Sequence, residues 1–219
     1  RSGFPETHFQ KIVMKKTLNH RKKAIKKRKP KVASNPNRNK VRLVTYKIVF
    51  ELLPEEPYDS LPVSVREQAE ELHDLAYQNP QQAIPLLLEL WEKYPLVPQF
   101  GNFLNAAYVN AGETDKADET ALQIYQKYPD YLFGKTNYAL IYLQKGEPDK
   151  VLEIFDNKLD LQLLYPRRKA YHISEYTSFA TAMALYYLEI GQYEGAKTYY
   201  NSLEELNPES QLTKMVRTR

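Results

Sequence analysis

The chain has 219 residues, of which 42% are hydrophobic, 26% charged and 12% aromatic, with 14 Pro, only 7 Gly and no Cys. That balance supports one large or two small domains with a substantial core, and excludes collagen-like and disulfide-stapled classes, thiol nucleophiles and Cys-ligated metals. The formal net charge of +4 conceals a division near Phe50: residues 7–50 carry 15 Lys or Arg and no Asp or Glu, whereas residues 51–219 carry 15 basic and 26 acidic residues, a net −11. Two segments with opposite fields point to two different tasks.

The chain opens Arg1-Ser2-Gly3-Phe4-Pro5, which lacks the basic-then-apolar order of a signal peptide. No apolar run approaches the roughly 18 to 20 residues that span a bilayer, so no membrane partner is expected. The absence of Cys suits a reducing compartment, and the expected location is cytoplasmic, or nuclear if the source is eukaryotic. Within the basic segment Lys15, Lys16, Arg21, Lys22, Lys23, Lys26, Lys27, Arg28 and Lys29 crowd together. Their repulsion opposes an isolated helix, although Ile12, Val13, Leu18 and Ile25 supply a thin apolar set for a helix over residues 9–29 against an acidic surface, ended by Pro30. Residues 34–39 read as a loop and residues 41–50 as a strand, being β-branched and aromatic. That strand needs a partner, from its own segment or from a longer protein.

Three readings compete for this segment: a nucleic-acid or ribosome arm over residues 11–47, a strap docked on an acidic protein surface, and a nuclear-import signal. Lys and Arg without Asp or Glu is the footprint of phosphate binding, but stacking aromatics are sparse, so sequence-specific readout is not indicated. From Pro54 to Pro62 three prolines in nine residues forbid a regular helix. A boundary placed there makes residues 1–53 a basic α+β extension and residues 54–62 a linker.

The rest of the chain repeats. Ala83, Ala117 and Val151 are 34 residues apart and Ala196 follows after 45; Gly112, Gly146 and Gly191 keep the same intervals, as do Tyr108, Tyr142 and Tyr187. Pro95, Pro129 and Pro208 lie 12 residues after three of the small residues, so one register holds with an 11-residue insertion before the last unit. Each unit reads as two antiparallel helices joined by a tight turn. Gly ends the first helix in the left-handed conformation, a small residue lets the pair approach, and Pro closes the second helix. Helices are predicted near residues 64–77, 80–94, 98–111, 114–128, 131–145, 148–160, 174–190 and 193–206.

These residues resemble the tetratricopeptide repeat family over residues 63–208, with units near 63–95, 98–129, 132–164 and 177–208. The first helix fits poorly: Glu71 and Asp74 take the family's small and aromatic positions, and Gln78 replaces the turn Gly. The resemblance implies an all-α, right-handed helical solenoid of about four helix-turn-helix repeats, preceded here by the basic extension. It also implies a concave groove lined by the first helix of each unit. Carried over position by position, that groove would present Gln99, Asn102, Phe103, Ala106 and Val109 from the second unit, Phe133, Thr136, Asn137, Leu140 and Leu143 from the third, and Ser178, Thr181, Ala182, Leu185 and Leu188 from the fourth. The Lys and Arg with which chaperone-binding members clamp a terminal carboxylate are missing; amides and apolar groups remain, suited to an extended or helical segment. The alternative for Phe103, Leu140 and Leu185 is plain interhelical core.

Residues 160–172, the insertion, read as a longer second helix followed by a loop over the groove, with Arg167-Arg168-Lys169 as a cationic cluster for an acidic partner or as a solvated linker. The tail, residues 209–219, is too short for a full capping helix, so the surface around Tyr199, Tyr200, Leu203 and Leu206 is expected to stay partly open and to support a homodimer or partner contact. His8, His20, His73 and His172 show no metal-ligand spacing, and no nucleophile, phosphate-loop or dinucleotide motif occurs. The expectation is a non-catalytic scaffold or adaptor without cofactor or metal, which binds a protein or peptide in its groove; the alternative is a nucleic-acid or ribosome-associated protein anchored by its basic segment.

Overall fold

In a computed structural model, described for residues 46–219, the 34-residue period appears as stacked helical hairpins. The first pairs α1 (Val63–Gln78) with α2 (Pro80–Lys93), the second α3 (Pro98–Ala111) with α4 (Thr114–Lys127), and the third α5 (Leu132–Gln144) with the short α6 (Asp149–Ile154). After α7 (Leu161–Leu164) the fourth hairpin pairs α8 (Ile173–Glu189) with α9 (Tyr193–Leu206), and α10 (Gln211–Arg217) follows. Each hairpin buries its own seam and also leans on its neighbour: α1 meets α3, α2 meets α3, α4 meets α5, and α5 meets α8. Ala69, Leu72, Ala83, Leu87, Phe100, Leu104, Ala107 and Ala117 form the core of the first two hairpins.

The turns form as the glycines require. Gly112, Gly146 and Gly191 have φ of 74°, 71° and 70°, and in each turn the following residue donates back to a tyrosine carbonyl, Glu113 to Tyr108, Glu147 to Tyr142 and Gln192 to Tyr187. This left-handed closure satisfies carbonyls that the helix end would otherwise orphan. Gly101 answers to a different need, the close approach of α3 to α2. A Cβ there would lie 2.7 Å from Cζ2 of Trp91, so only Gly fits without displacing the indole.

The structure departs from the sequence expectations at three places. First, α6 ends at Ile154 rather than near residue 160, because Asp156 and Asn157 take left-handed φ of 51° and 57° and Asn157 turns its amide back to Leu152. Both residue types tolerate that conformation. Second, the insertion is not helix plus loop. It contains α7, N-capped by Asp160, whose Oδ1 accepts from the Gln162 amide at 2.7 Å, and then strand β2 (Ala170–His172). Of the predicted strand over residues 41–50, β1 (Lys47–Val49) lies within the described residues, and its partner is β2, in parallel, with Ile48 opposite Tyr171. Three hairpins thus serve as the crossover that a parallel pair demands. Residues 47–219 form one compact unit, so this strand and the Pro-rich stretch, read from sequence as extension and linker, belong with the repeats. The basic residues 15–29 and the helix expected over residues 9–29 lie outside the described residues.

Third, the tail does cap the solenoid. Ser210 accepts from the Leu212 amide to start α10, which packs on α8 and α9, and Arg217 forks onto the Glu204 carboxylate at 2.7 and 2.9 Å. Leu203 is fully buried, and Tyr199, Tyr200 and Leu206 are half-buried, so the surface expected to stay open for a homodimer contact is largely covered by the chain itself. Seven residues suffice because Thr213 and Val216 insert one helical turn apart.

Gly101→Ala should lower stability by about 1 to 3 kcal/mol through overpacking against Trp91. Urea denaturation followed by far-ultraviolet circular dichroism measures it, and the double variant Gly101→Ala, Trp91→Leu should recover part of the loss. No such recovery would mean that the close approach is not the cause.

Candidate functional site: the concave face

The first helices of the hairpins lie side by side, and the contacts between them set the register of the groove. Asn137 on α5 donates through Nδ2 to Oδ1 of Asn102 at 2.9 Å and to Oδ1 of Asn105 at 3.3 Å, both on α3. Asn105 is buried and donates to the Ala117 carbonyl at 2.6 Å, joining this ladder to α4. One hairpin earlier, the ring of His73 on α1 packs on Phe103 of α3 with centroids 4.6 Å apart. Phe103 and Asn137 are equivalent by the 34-residue period, so His73 is the counterpart of Asn105, 32 residues before it.

The burial pattern agrees. Ala69, Leu72 and Ala76 are buried along α1 as Gly101, Leu104 and Tyr108 are along α3, again 32 residues apart. The first hairpin has a shorter turn: Ala83 follows Ala76 by 7 positions, where Ala117 follows Tyr108 by 9. Asn79 alone separates α1 from α2. This corrects the alignment of the first unit. Glu71 and Asp74 are not misplaced core residues; they are exposed, and Ala69, Leu72 and Ala76 hold the packing positions. The groove stripe Asn102, Ala106, Val109 on α3 therefore corresponds to Glu70, Asp74, Tyr77 on α1. The spacing of Ala69, Leu72 and Ala76 is a visible signal in the sequence, but a fixed 34-residue period masks it.

The predicted groove residues separate into two groups. Asn102, Phe103, Ala106, Phe133, Asn137 and Leu140 are half-buried and come together along α3 and α5. Gln99, Thr136, Leu143, Ser178, Thr181, Ala182 and Leu185 are buried, the last four within α8, which leaves little of them for a ligand to touch. For Phe103 and Leu140 the groove and the core readings merge: Phe103 is packed on one side by His73, and Leu140 lines a shallow hollow with Leu185 and Met215 of α10. Val109 is 60% exposed and Tyr77 50%. Among the described residues no further hydrogen bond reaches Nδ2 of Asn102 or Oδ1 of Asn137, so the amide pair presents one donor and one acceptor outward.

One edge of the concave face is laced by the chain's own Pro-rich segment, which passes the N-terminal ends of the groove helices. His172 Nε2 lies 3.2 Å from the Phe50 carbonyl, and Tyr58 packs edge-on to Phe100 and donates to the Arg66 carbonyl at 3.4 Å. Between them, burial raises the Glu55 carboxyl above its usual range; the neighbouring Gln99 amide opposes that shift, and the Glu175 charge adds to it. Arg168 forks onto Glu175 with both contacts at 2.7 Å and lies 4.3 Å from the ring centroid of Tyr171. Of the predicted cationic triplet, Arg168 is therefore held internally and only Arg167 and Lys169 are exposed.

Residues 180–210 match the tetratricopeptide repeat family, and the stacked hairpins of neighbouring helices pack as a solenoid of that kind. Among curated proteins none matches the chain. Repeats of this kind generally mediate protein–protein interaction and are typically non-catalytic. No helix among the described residues is long and apolar enough to cross a membrane.

Two outcomes follow from this geometry. Asn105→Leu should cost about 1 kcal/mol in urea denaturation, since it removes the buried hydrogen bond that Asn105 donates to the Ala117 carbonyl and the one it accepts from Asn137. His73 is held below its ordinary value of 6.5, by burial first and against the pull of Asp74. The unfolded chain thus takes up that proton more readily, and stability falls as pH drops below 6.5 until the folded protein also protonates. Urea midpoints at about pH 7 and about pH 5, on either side of the ordinary histidine value, should differ less in His73→Gln than in the parent.

Proposed function

We propose that the chain is a non-catalytic scaffold or adaptor that holds a segment of a partner protein along the concave face of its first three hairpins. The observation that carries this is the Asn102–Asn137 pair, bonded to each other at 2.9 Å yet with a donor and an acceptor turned outward. A peptide group offers the matching acceptor and donor, whatever its side chains, so the pair grips backbone while Phe103, Val109 and Leu140 receive apolar side chains. An array of unrelated peptides of about 15 residues, long enough to cross three hairpins when extended, tests this when probed with the full chain. Peptides that bind the parent should bind Asn102→Ala about fivefold more weakly, the loss of roughly 1 kcal/mol. Equal binding by the variant would remove the groove from the function.

The second reading rests on residues 7–50, with 15 basic residues and no acidic one. A phosphate-gripping arm of this kind loses affinity for nonspecific RNA steeply as salt rises. That affinity should vanish on deleting residues 1–46, which leaves the compact unit that starts at Lys47.

A further inference from the structure

The corrected register of the first hairpin changes the chemistry of the groove. Helix α1 carries Glu67, Glu70, Glu71 and Asp74 against one basic residue, Arg66, and all four carboxylates are exposed. Glu70 and Asp74 stand where α3 has Asn102 and Ala106, one turn apart on the same stripe, and Tyr77 follows three residues on with half its surface open. No salt bridge among the described residues reaches Glu67, Glu70 or Glu71, from Arg66 or from any other cation. Asp74 has only His73 at 3.8 Å, whose affinity for a proton burial lowers, so that it is uncharged at neutral pH. The stripe therefore keeps its negative charge, and beside it stand Tyr77, with half its surface open, and the half-buried Phe103, both rings in contact with His73. Helices α3 and α5 add no free charge to the groove: α3 has none, and the one lysine of α5, Lys135, is buried and donates to the Ile154 carbonyl at 3.2 Å.

We infer that the partner segment is cationic at one end: a Lys or Arg side chain lies against Glu70 and Asp74, stacked on Tyr77, while the backbone beyond it runs over Asn102 and Asn137. This rests on the groove reading above and specifies its ligand. Charge complementarity selects the partner, since among the described residues no Lys or Arg forms a salt bridge with the stripe's carboxylates, and Tyr77 beside them is an aromatic ring suited to a guanidinium or ammonium group. The amide pair reads any backbone, so the carboxylates supply the discrimination.

The test uses the full chain and two synthetic peptides that differ only at one end, where one has two lysines and the other two glutamines, each followed by the same alternating Val and Ser residues. Fluorescence anisotropy should show the lysine peptide binding about five- to tenfold more tightly at low salt, the size expected of two partly exposed charge pairs. The double variant Glu70→Gln, Asp74→Asn should abolish that preference and leave the melting temperature unchanged, because both side chains are exposed. Equal affinity of the parent for the two peptides, or a preference that survives the double variant, overturns the inference. If, in that case, Asn102→Ala still weakens both peptides, the groove reading stands without it; if neither peptide binds, both fall.

Discussion

No hairpin in this chain can bury its own apolar surface, and that shortage organises the molecule. Each first helix is covered on one side by its partner and on the other by the next hairpin, through contacts repeated at equivalent positions: His73 on Phe103, Asn105 on Asn137. Stability in such an arrangement is a sum of nearest-neighbour terms, so the ends are where it is weakest. At the far end α10 closes the stack with a seven-residue helix pinned by Arg217 on Glu204. At the near end the Pro-rich segment returns across the helix N-termini, bringing β1 to β2 and thereby tying the entrance of the fourth hairpin to the first.

The same contacts that build the stack leave a second stripe along each first helix. Packing positions must be apolar or paired, which leaves the neighbouring stripe free to vary. On α3 and α5 it carries amides and apolar groups, and on α1 carboxylates. The amides do two jobs at once, since Asn137 spans two residues of α3 and still turns an acceptor outward. The stripe is thus chemically graded along the stack, acidic on α1 and without free charge on α3 and α5.

Much of the fold is legible in the residues alone. The period of Ala, Gly, Tyr and Pro locates seven of the eight repeat helices to within about two residues, because turn glycines and close-packed small residues answer to local sterics that survive in sequence. The eighth, α6, ends sooner than the period predicts, since Asp156 and Asn157 adopt a left-handed conformation that their identity permits but does not require. The groove is less legible for a related reason. Position along a repeat says which stripe Thr181 or Leu185 joins, and says nothing of how deeply neighbouring helices cover it.

Sequence by itself determined the repeat, the turns and the charge division, all of which depend on residues near one another in the chain. Only the tertiary structure decided the pairing of β1 with β2 across roughly 120 residues, a far longer closure than a local turn makes, together with the capping by α10 and the register shift that moves Glu71 and Asp74 out of the core positions and places Ala69, Leu72 and Ala76 there. These depend on which surfaces meet after the hairpins stack, and a period counted along the chain carries no record of that.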